Sequence, residues 1–207
     1  MQDLRDAEAT GRCSWCGEAP DYVAYHDDEW GRPEGDPRAL WEKLVLDGFQ
    51  AGLAWITILR KREGFRRAFE GFDPAVIATW GPEEVERLVG DPGIVRSRAK
   101  IEATIGNARA YLRIQAREGF DTFIWRSVGF EARQNRPVGM AEVPTETAES
   151  RALSKALKAE GFKFCGPVIV YAFMQATGVV NDHLAGCPAG DACAAEGIGR
   201  RFGGAGC

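Results

Sequence analysis

Leu157-Lys158-Ala159-Glu160-Gly161-Phe162-Lys163-Phe164-Cys165-Gly166-Pro167 reads as the end of one helix, a glycine-bounded turn and the start of another. Glycine lets the backbone turn tightly and approach a ligand closely. Proline in the first turn of a helix sacrifices no hydrogen bond, because that N–H has no intrahelical partner. Amides at a helix start can point at a phosphate, and the helix dipole favours the anion. A hairpin of this kind grips a DNA backbone without reading its sequence. Any two antiparallel helices also need such a turn, so the pattern alone leaves both readings open.

Working outward, residues 147–160 and 167–177 carry the helical pattern on either side of the turn. Residues 95–118 read as a long helix, with Ile101, Ile105, Ala108 and Leu112 as its apolar stripe. Asp36-Pro37 reads as an N-cap followed by a first-turn proline, and Leu40, Trp41, Leu44 and Val45 follow at helical spacing. Gly48 and Gly52 bracket an expected break, after which residues 54–69 resume a helical pattern. Asp73-Pro74 and Gly81-Pro82-Glu83-Glu84 look like two further starts, the latter with carboxylates where the dipole favours them. Residues 13–33 and 128–145 read as irregular, and the Gly/Ala-rich tail after Cys193 as loose. No strand-like alternation and no repeat emerge, so the expected fold class is all-α.

The 207 residues suffice for one large domain or two small lobes. Hydrophobic and charged fractions of 45% and 27% are those of a soluble globular protein. No apolar run approaches the ~18 residues of a membrane span. The polar, acidic start lacks a signal-peptide core, which makes the cytoplasm the expected compartment and reduced thiols the expected state of the six cysteines. A net charge of −4 argues against a surface coated in positive charge. Local basic clusters remain: Arg60, Lys61, Arg62, Arg66 and Arg67; Arg96, Arg98 and Lys100; Lys155, Lys158 and Lys163. Solvated helix faces would explain them equally.

Both histidines lie near cysteines: Cys13 and Cys16 precede His26, and His183 precedes Cys187 by four residues. Imidazole and thiolate are the ligands of tetrahedral zinc. Four available ligands favour a closed structural site over a catalytic one that keeps a position for water. Spacing alone does not separate this from two unrelated pairs, and Cys16 and Cys193 are possible substitutes.

Tyr22, Tyr25 and Trp30 flank His26, while Asp47 and Trp55 flank residues 48–54. Aromatic rings beside a carboxylate suit a flat cationic base: the rings stack on it and the carboxylate accepts its exocyclic N–H. An aromatic core with one solvated Asp would give the same pattern.

Longer runs narrow these alternatives. They are Tyr22-Val23-Ala24-Tyr25-His26-Asp27-Asp28-Glu29-Trp30-Gly31, Gln50-Ala51-Gly52-Leu53-Ala54-Trp55-Ile56-Thr57-Ile58-Leu59, Arg98-Ala99-Lys100-Ile101, Gly106-Asn107-Ala108-Arg109-Ala110, Leu153-Ser154-Lys155-Ala156-Leu157-Lys158, Gly161-Phe162-Lys163-Phe164 and Val180-Asn181-Asp182-His183. In this order, over roughly residues 12–188, they closely resemble the 3-methyladenine DNA glycosylase I family. The resemblance implies an all-α helix-hairpin-helix glycosylase fold, two helical lobes with a cleft, in a single domain over 12–190. Residues 1–11 and 191–207 would be flexible termini. It implies structural Zn2+ on Cys13, His26, His183 and Cys187, stapling the termini. The base pocket falls on Tyr22, Tyr25, Trp30 and Trp55, with Asp47 as the catalytic, base-recognising carboxylate. Gln50, Gly52 and Leu53 match the segment that approaches the gap left by the extruded base, and Gly161, Lys163 and Gly166 belong to the DNA-gripping hairpin. Where the best-known members carry glutamate, this chain has Asp47, shorter by about 1.5 Å of reach.

The implied activity is monofunctional excision of 3-methyladenine from alkylated double-stranded DNA, with an abasic site and the free base as products. A monomer is expected. Two other classes compete. A zinc-organised DNA-binding module would not need the aromatic–carboxylate cluster, and a zinc hydrolase finds no HExxH pattern here.

Overall fold

The computed structural model describes residues 11–197 and Phe202. Its helices are α1 (Pro20–Asp28), α2 (Pro37–Gln50), α3 (Trp55–Leu59), α4 (Arg62–Ala68), α5 (Pro74–Ile77), α6 (Pro82–Val89), α7 (Arg98–Arg117), α8 (Phe120–Trp125), α9 (Ala148–Ala159), α10 (Pro167–Ala176) and α11 (Pro188–Gly197). Short 3-10 turns lie between several of them. Two strands of two residues, β1 (Arg133–Gln134) and β2 (Val180–Asn181), pair in parallel. No described helix is long and apolar enough to cross a membrane.

The helix starts follow local chemistry. Asp36 Oδ1 accepts from the Arg38 N–H at 2.8 Å, and Asp73 Oδ1 accepts from Ala75 at 2.9 Å. Thr147 and Ser150 cap α9 reciprocally. Helix α2 is the packing centre: Leu40, Trp41, Leu44, Val45, Leu46 and Phe49 are all buried. Its neighbours include α3, α7, α8 and α10. Trp41 reaches across the core and donates from Nε1 to the Phe72 carbonyl at 3.1 Å. Burial of each such side chain stabilises the fold by about 1.5–3 kcal/mol before chain entropy is subtracted.

Several sequence expectations are corrected. Residues 13–33, expected to be irregular, contain α1, because Pro20 pre-sets the first helical turn. The break expected between Gly48 and Gly52 falls at Ala51, where the chain leaves α2, while Gly48 stays in the helix and packs against Phe164. The pattern over 54–69 is two short helices, α3 and α4, rather than one. Pairing of β1 with β2 was not legible, since two residues carry no alternation. The tail is the largest change. Residues 191–197, expected to be loose, belong to α11, with Cys193 and Gly197 buried. Phe202 stacks on Trp125 at 4.2 Å between ring centroids. Small residues made this segment look structureless, yet smallness is what lets it pack closely. Residues 1–10, expected to be flexible, lie outside the described residues.

Candidate active site and metal centre

Cys13, His26, His183 and Cys187 are all buried, and their ligand atoms lie within 4.8 Å of one another. Cys187 Sγ is 3.5 Å from His183 Nδ1 and 3.7 Å from His26 Nε2, and Cys13 Sγ is 3.6 Å from His183 Nδ1. Metal–ligand bonds of zinc at tetrahedral angles put sulfur and nitrogen about 3.6 Å apart. The three sulfur–nitrogen spacings therefore fit the donor set of one tetrahedral ion.

The outer nitrogens are also fixed. His26 Nδ1 meets Asp27 Oδ1 at 2.6 Å, and His183 Nε2 meets the Trp30 carbonyl at 2.9 Å. Such partners set the ring orientation and the tautomer of a ligating histidine. Arg12 in turn holds Asp27, whose carboxyl it keeps below the usual range. Hydrogen bonding from Cys13, and then from the two imidazoles, pulls Cys187 toward the thiolate. Gly190 makes room for His183: a Cβ there would stand 2.4 Å from the His183 Cβ.

His183 and Cys187 do not share a helical turn; they lie in the loop between β2 and α11. Cys16, a possible substitute on spacing, turns its thiol to the Cys13 carbonyl at 3.2 Å. Cys193, the other substitute, sits near the Trp30 carbonyl. Neither belongs to the four-donor group.

Next to this centre lies a cavity of about 350 Å³. Tyr22, Tyr25, Trp30, Asp47 and Trp55, the residues expected at the base pocket, border it, and so does Gln50, expected in the segment facing DNA. Tyr25 and Trp55 stand 5.4 Å apart, and Trp30 packs edge-on against His183 at 4.5 Å. Trp30 thus touches both the metal centre and the cavity. Two buried polar atoms at the cavity, Asp47 Oδ2 and Trp55 Nε1, have no hydrogen-bond partner. Buried polar groups are almost always paired, so these two atoms have hydrogen-bonding capacity left for water or a polar ligand.

Sequence reasoning missed several lining residues. Trp15 wedges edge-on between Tyr22 and Trp30. Lys43 forms an ion pair with Asp47 Oδ1 and sits 3.8 Å over the Trp55 ring. Their i, i+4 spacing on one helix was the available signal. Burial raises the Asp47 carboxyl and lowers the Lys43 ammonium, and the pairing opposes both shifts. Asp182, which also borders the cavity, accepts from Tyr171 Oη at 2.5 Å, Gln175 Nε2 at 2.7 Å and Asn135 Nδ2 at 2.8 Å. Burial, followed by the bond to Asp182, pushes the Tyr171 hydroxyl above its ordinary range.

Gln50 borders the cavity at the end of α2, and the loop after it exposes Gly52 and Leu53. Lys100 fixes that loop by donating to the carbonyls of Phe49 (2.8 Å) and Ala51 (2.7 Å). The turn between α9 and α10 lies alongside, since Gly48 packs on Phe164. In this turn Gly161 has φ +101°, Lys163 is exposed and Gly166 precedes α10. The first basic cluster is largely neutralised: Arg60 pairs with Asp21, Arg62 with Glu29 and Arg66 with Glu42. Lys155, Lys158 and Lys163 are exposed and form no ion pair among the described residues.

A model of the methyladenine glycosylase family matches residues 15–190. The DNA-3-methyladenine glycosylase 1 of Escherichia coli (strain K12) is 52% identical over 177 residues, spanning 85% of this chain and 95% of the relative. The DNA-3-methyladenine glycosylase of Haemophilus influenzae (strain ATCC 51907 / DSM 11121 / KW20 / Rd) is 48% identical over 180 residues, spanning 86% and 97%. A structure solved for 3-methyladenine recognition by 3-methyladenine DNA glycosylase I from Staphylococcus aureus superposes with a TM-score of 0.84 at 37% identity, covering 87% of this chain and 97% of that one. The chain belongs to the methyladenine glycosylase family.

Proposed function

We propose that this protein excises 3-methyladenine from alkylated double-stranded DNA, with the aromatic cavity as the pocket for the extruded base. The observation that carries this reading is the orphaned Asp47 Oδ2 beside the Tyr25 and Trp55 rings. It is an acceptor placed where stacking surfaces hold a flat ring.

Extrusion costs a few kcal/mol, roughly what unstacking and unpairing one base requires. Methylation at N3 makes the adenine cationic and weakens its glycosidic bond. The rings stack on the cation, and Asp47 accepts from the exocyclic amino group. Water attacks the sugar carbon as the glycosidic bond breaks, through an oxocarbenium-like transition state. The bonding pair leaves with the base and neutralises it; the water proton goes to solvent. Asp182, its carboxylate held by three donors, places a second fixed negative charge at the cavity and favours that cationic transition state. No lysine nucleophile is needed, so the product is an abasic site.

The turn from Gly161 to Gly166 acts as a helix-hairpin-helix grip on the phosphate backbone, supported by the exposed Lys155, Lys158 and Lys163. Leu53 enters the duplex where the base has left. The molecule works as two helical lobes around this cleft. Cys13, His26, His183 and Cys187 hold a structural zinc, as the donor set and its distances support. When bound, the ion cross-links the start of the chain to the loop before α11 and keeps α1 and its tyrosines in place. One chain supplies every residue of the site, which supports a monomer. Cys16, Cys165 and Cys193, which form no disulfide, suit the reducing cytoplasm. The test is release of 3-methyladenine from methylated duplex DNA. Zinc-replete protein that binds the duplex but liberates no base would instead be a DNA-binding module.

A further inference from the structure

Lys43 lies one helical turn before Asp47 on α2 and pairs with its Oδ1. The same ammonium stands 3.8 Å from the centroid of the Trp55 ring. Both residues border the cavity, and 16% of the Lys43 side chain is exposed. An ammonium has three N–H donors and no acceptor. One meets Asp47 Oδ1, and another is turned to the face of Trp55, whose ring attracts the cation. A third donor remains. Asp47 Oδ2 is an acceptor that is buried and unpartnered. One spare donor and one spare acceptor therefore belong to a single ion pair that borders the cavity.

Adenine carries the complement along one edge, an N7 acceptor next to a 6-amino donor. Guanine offers two acceptors there, N7 and O6, so Asp47 Oδ2 would face a second acceptor. Resting on the reading of the cavity as the base pocket, we propose that Lys43 is a specificity-determining residue. It donates to N7 of the bound 3-methyladenine while Asp47 Oδ2 accepts from the 6-amino group. The ion pair also leaves this wall close to neutral. The pattern of donor and acceptor, with stacking, then selects the base more than negative charge does. A purely structural ion pair would neutralise Asp47 without sensing N7.

The experiment titrates the full chain with free 3-methyladenine and with 7-deaza-3-methyladenine, which keeps the amino group but replaces N7 by C–H. Tryptophan fluorescence reports binding. A hydrogen bond from a charged donor predicts that the wild type binds the analogue about tenfold to a hundredfold more weakly. Lys43→Met should bind the two ligands alike. Because that variant leaves Asp47 without a counter-charge, the double variant Lys43→Met/Asp47→Asn, with no lone buried charge, is measured beside it and should also bind them alike. Equal affinities in the wild type would overturn the role of Lys43, as would discrimination that persists in either folded variant. If the wild type neither binds 3-methyladenine nor releases it from methylated DNA, the reading of the cavity falls, and this inference with it.

Discussion

The side-chain amide of Asn107 clamps the backbone of Lys163: its Oδ1 accepts from the Lys163 N–H at 2.8 Å and its Nδ2 donates to the Lys163 carbonyl at 3.1 Å. This ties the long helix α7 to the middle of the α9–α10 turn. The turn holds Gly161 at φ +101°, which glycine adopts freely, and Phe164 at φ +55°, a conformation that needs outside support.

Asn107→Ala removes both bonds. Each contributes about 0.5–1.5 kcal/mol, so affinity for an undamaged duplex should fall roughly tenfold. Binding of free 3-methyladenine should not change. Fluorescence anisotropy with labelled duplex and a free-base titration separate the two. Lys163→Ala should lower the salt dependence of duplex binding by about one unit of slope, as loss of one phosphate contact does.

Asp47→Asn should keep the far-UV circular dichroism spectrum and weaken free 3-methyladenine binding about tenfold to a hundredfold. Unchanged affinity would remove Asp47 from the pocket. The pH profile gives a second check. Burial raises the Asp47 carboxyl above the ordinary 3.8. Its acceptor function needs the ionised form, so it is lost as pH falls through that raised value. The N3-methylated base in DNA bears a fixed charge and adds no titration there. The acidic limb of kcat/KM on methylated DNA should therefore lie above 3.8 and disappear in Asp47→Asn.

Metal removal tests the cysteine–histidine centre. Purified protein should contain one zinc per chain by elemental analysis. Chelation or Cys187→Ser should lower the thermal midpoint and, by loosening the tyrosines of α1, reduce excision. Full activity and an unchanged midpoint in metal-free protein would contradict the structural role.

Leu53 is 43% exposed on a loop that Lys100 holds at two carbonyls. Leu53→Ala should reduce excision from duplex roughly tenfold, the scale of a lost unstacking aid of about 1–2 kcal/mol. Single-stranded substrate, which needs no wedge, should be affected less. Equal losses on both substrates would refute a wedge role.

The helix starts at Asp36, Asp73 and Thr147 and the apolar stripe of α7 were legible because each depends on residues within one or two turns. The grouping of Cys13, His26, His183 and Cys187, and that of the aromatic residues around the cavity, was implied by long ordered runs of sequence. Spacing had left them beside Cys16 and Cys193. What sequence did not reveal is what distant segments do to one another. Only the fold turns Cys16 toward a backbone carbonyl, packs Trp15 between Tyr22 and Trp30, docks Phe202 on Trp125 and brings Asp182 to the same cavity as Asp47. The same holds for Lys43, whose pairing with Asp47 is buried beside the cavity. Local hydrogen bonds and periodicity are properties of neighbouring residues and can be read from the chain. Burial is a property of the whole packed molecule, and it is burial that turns the Lys43–Asp47 pair and the orphaned oxygen beside it into a recognition surface.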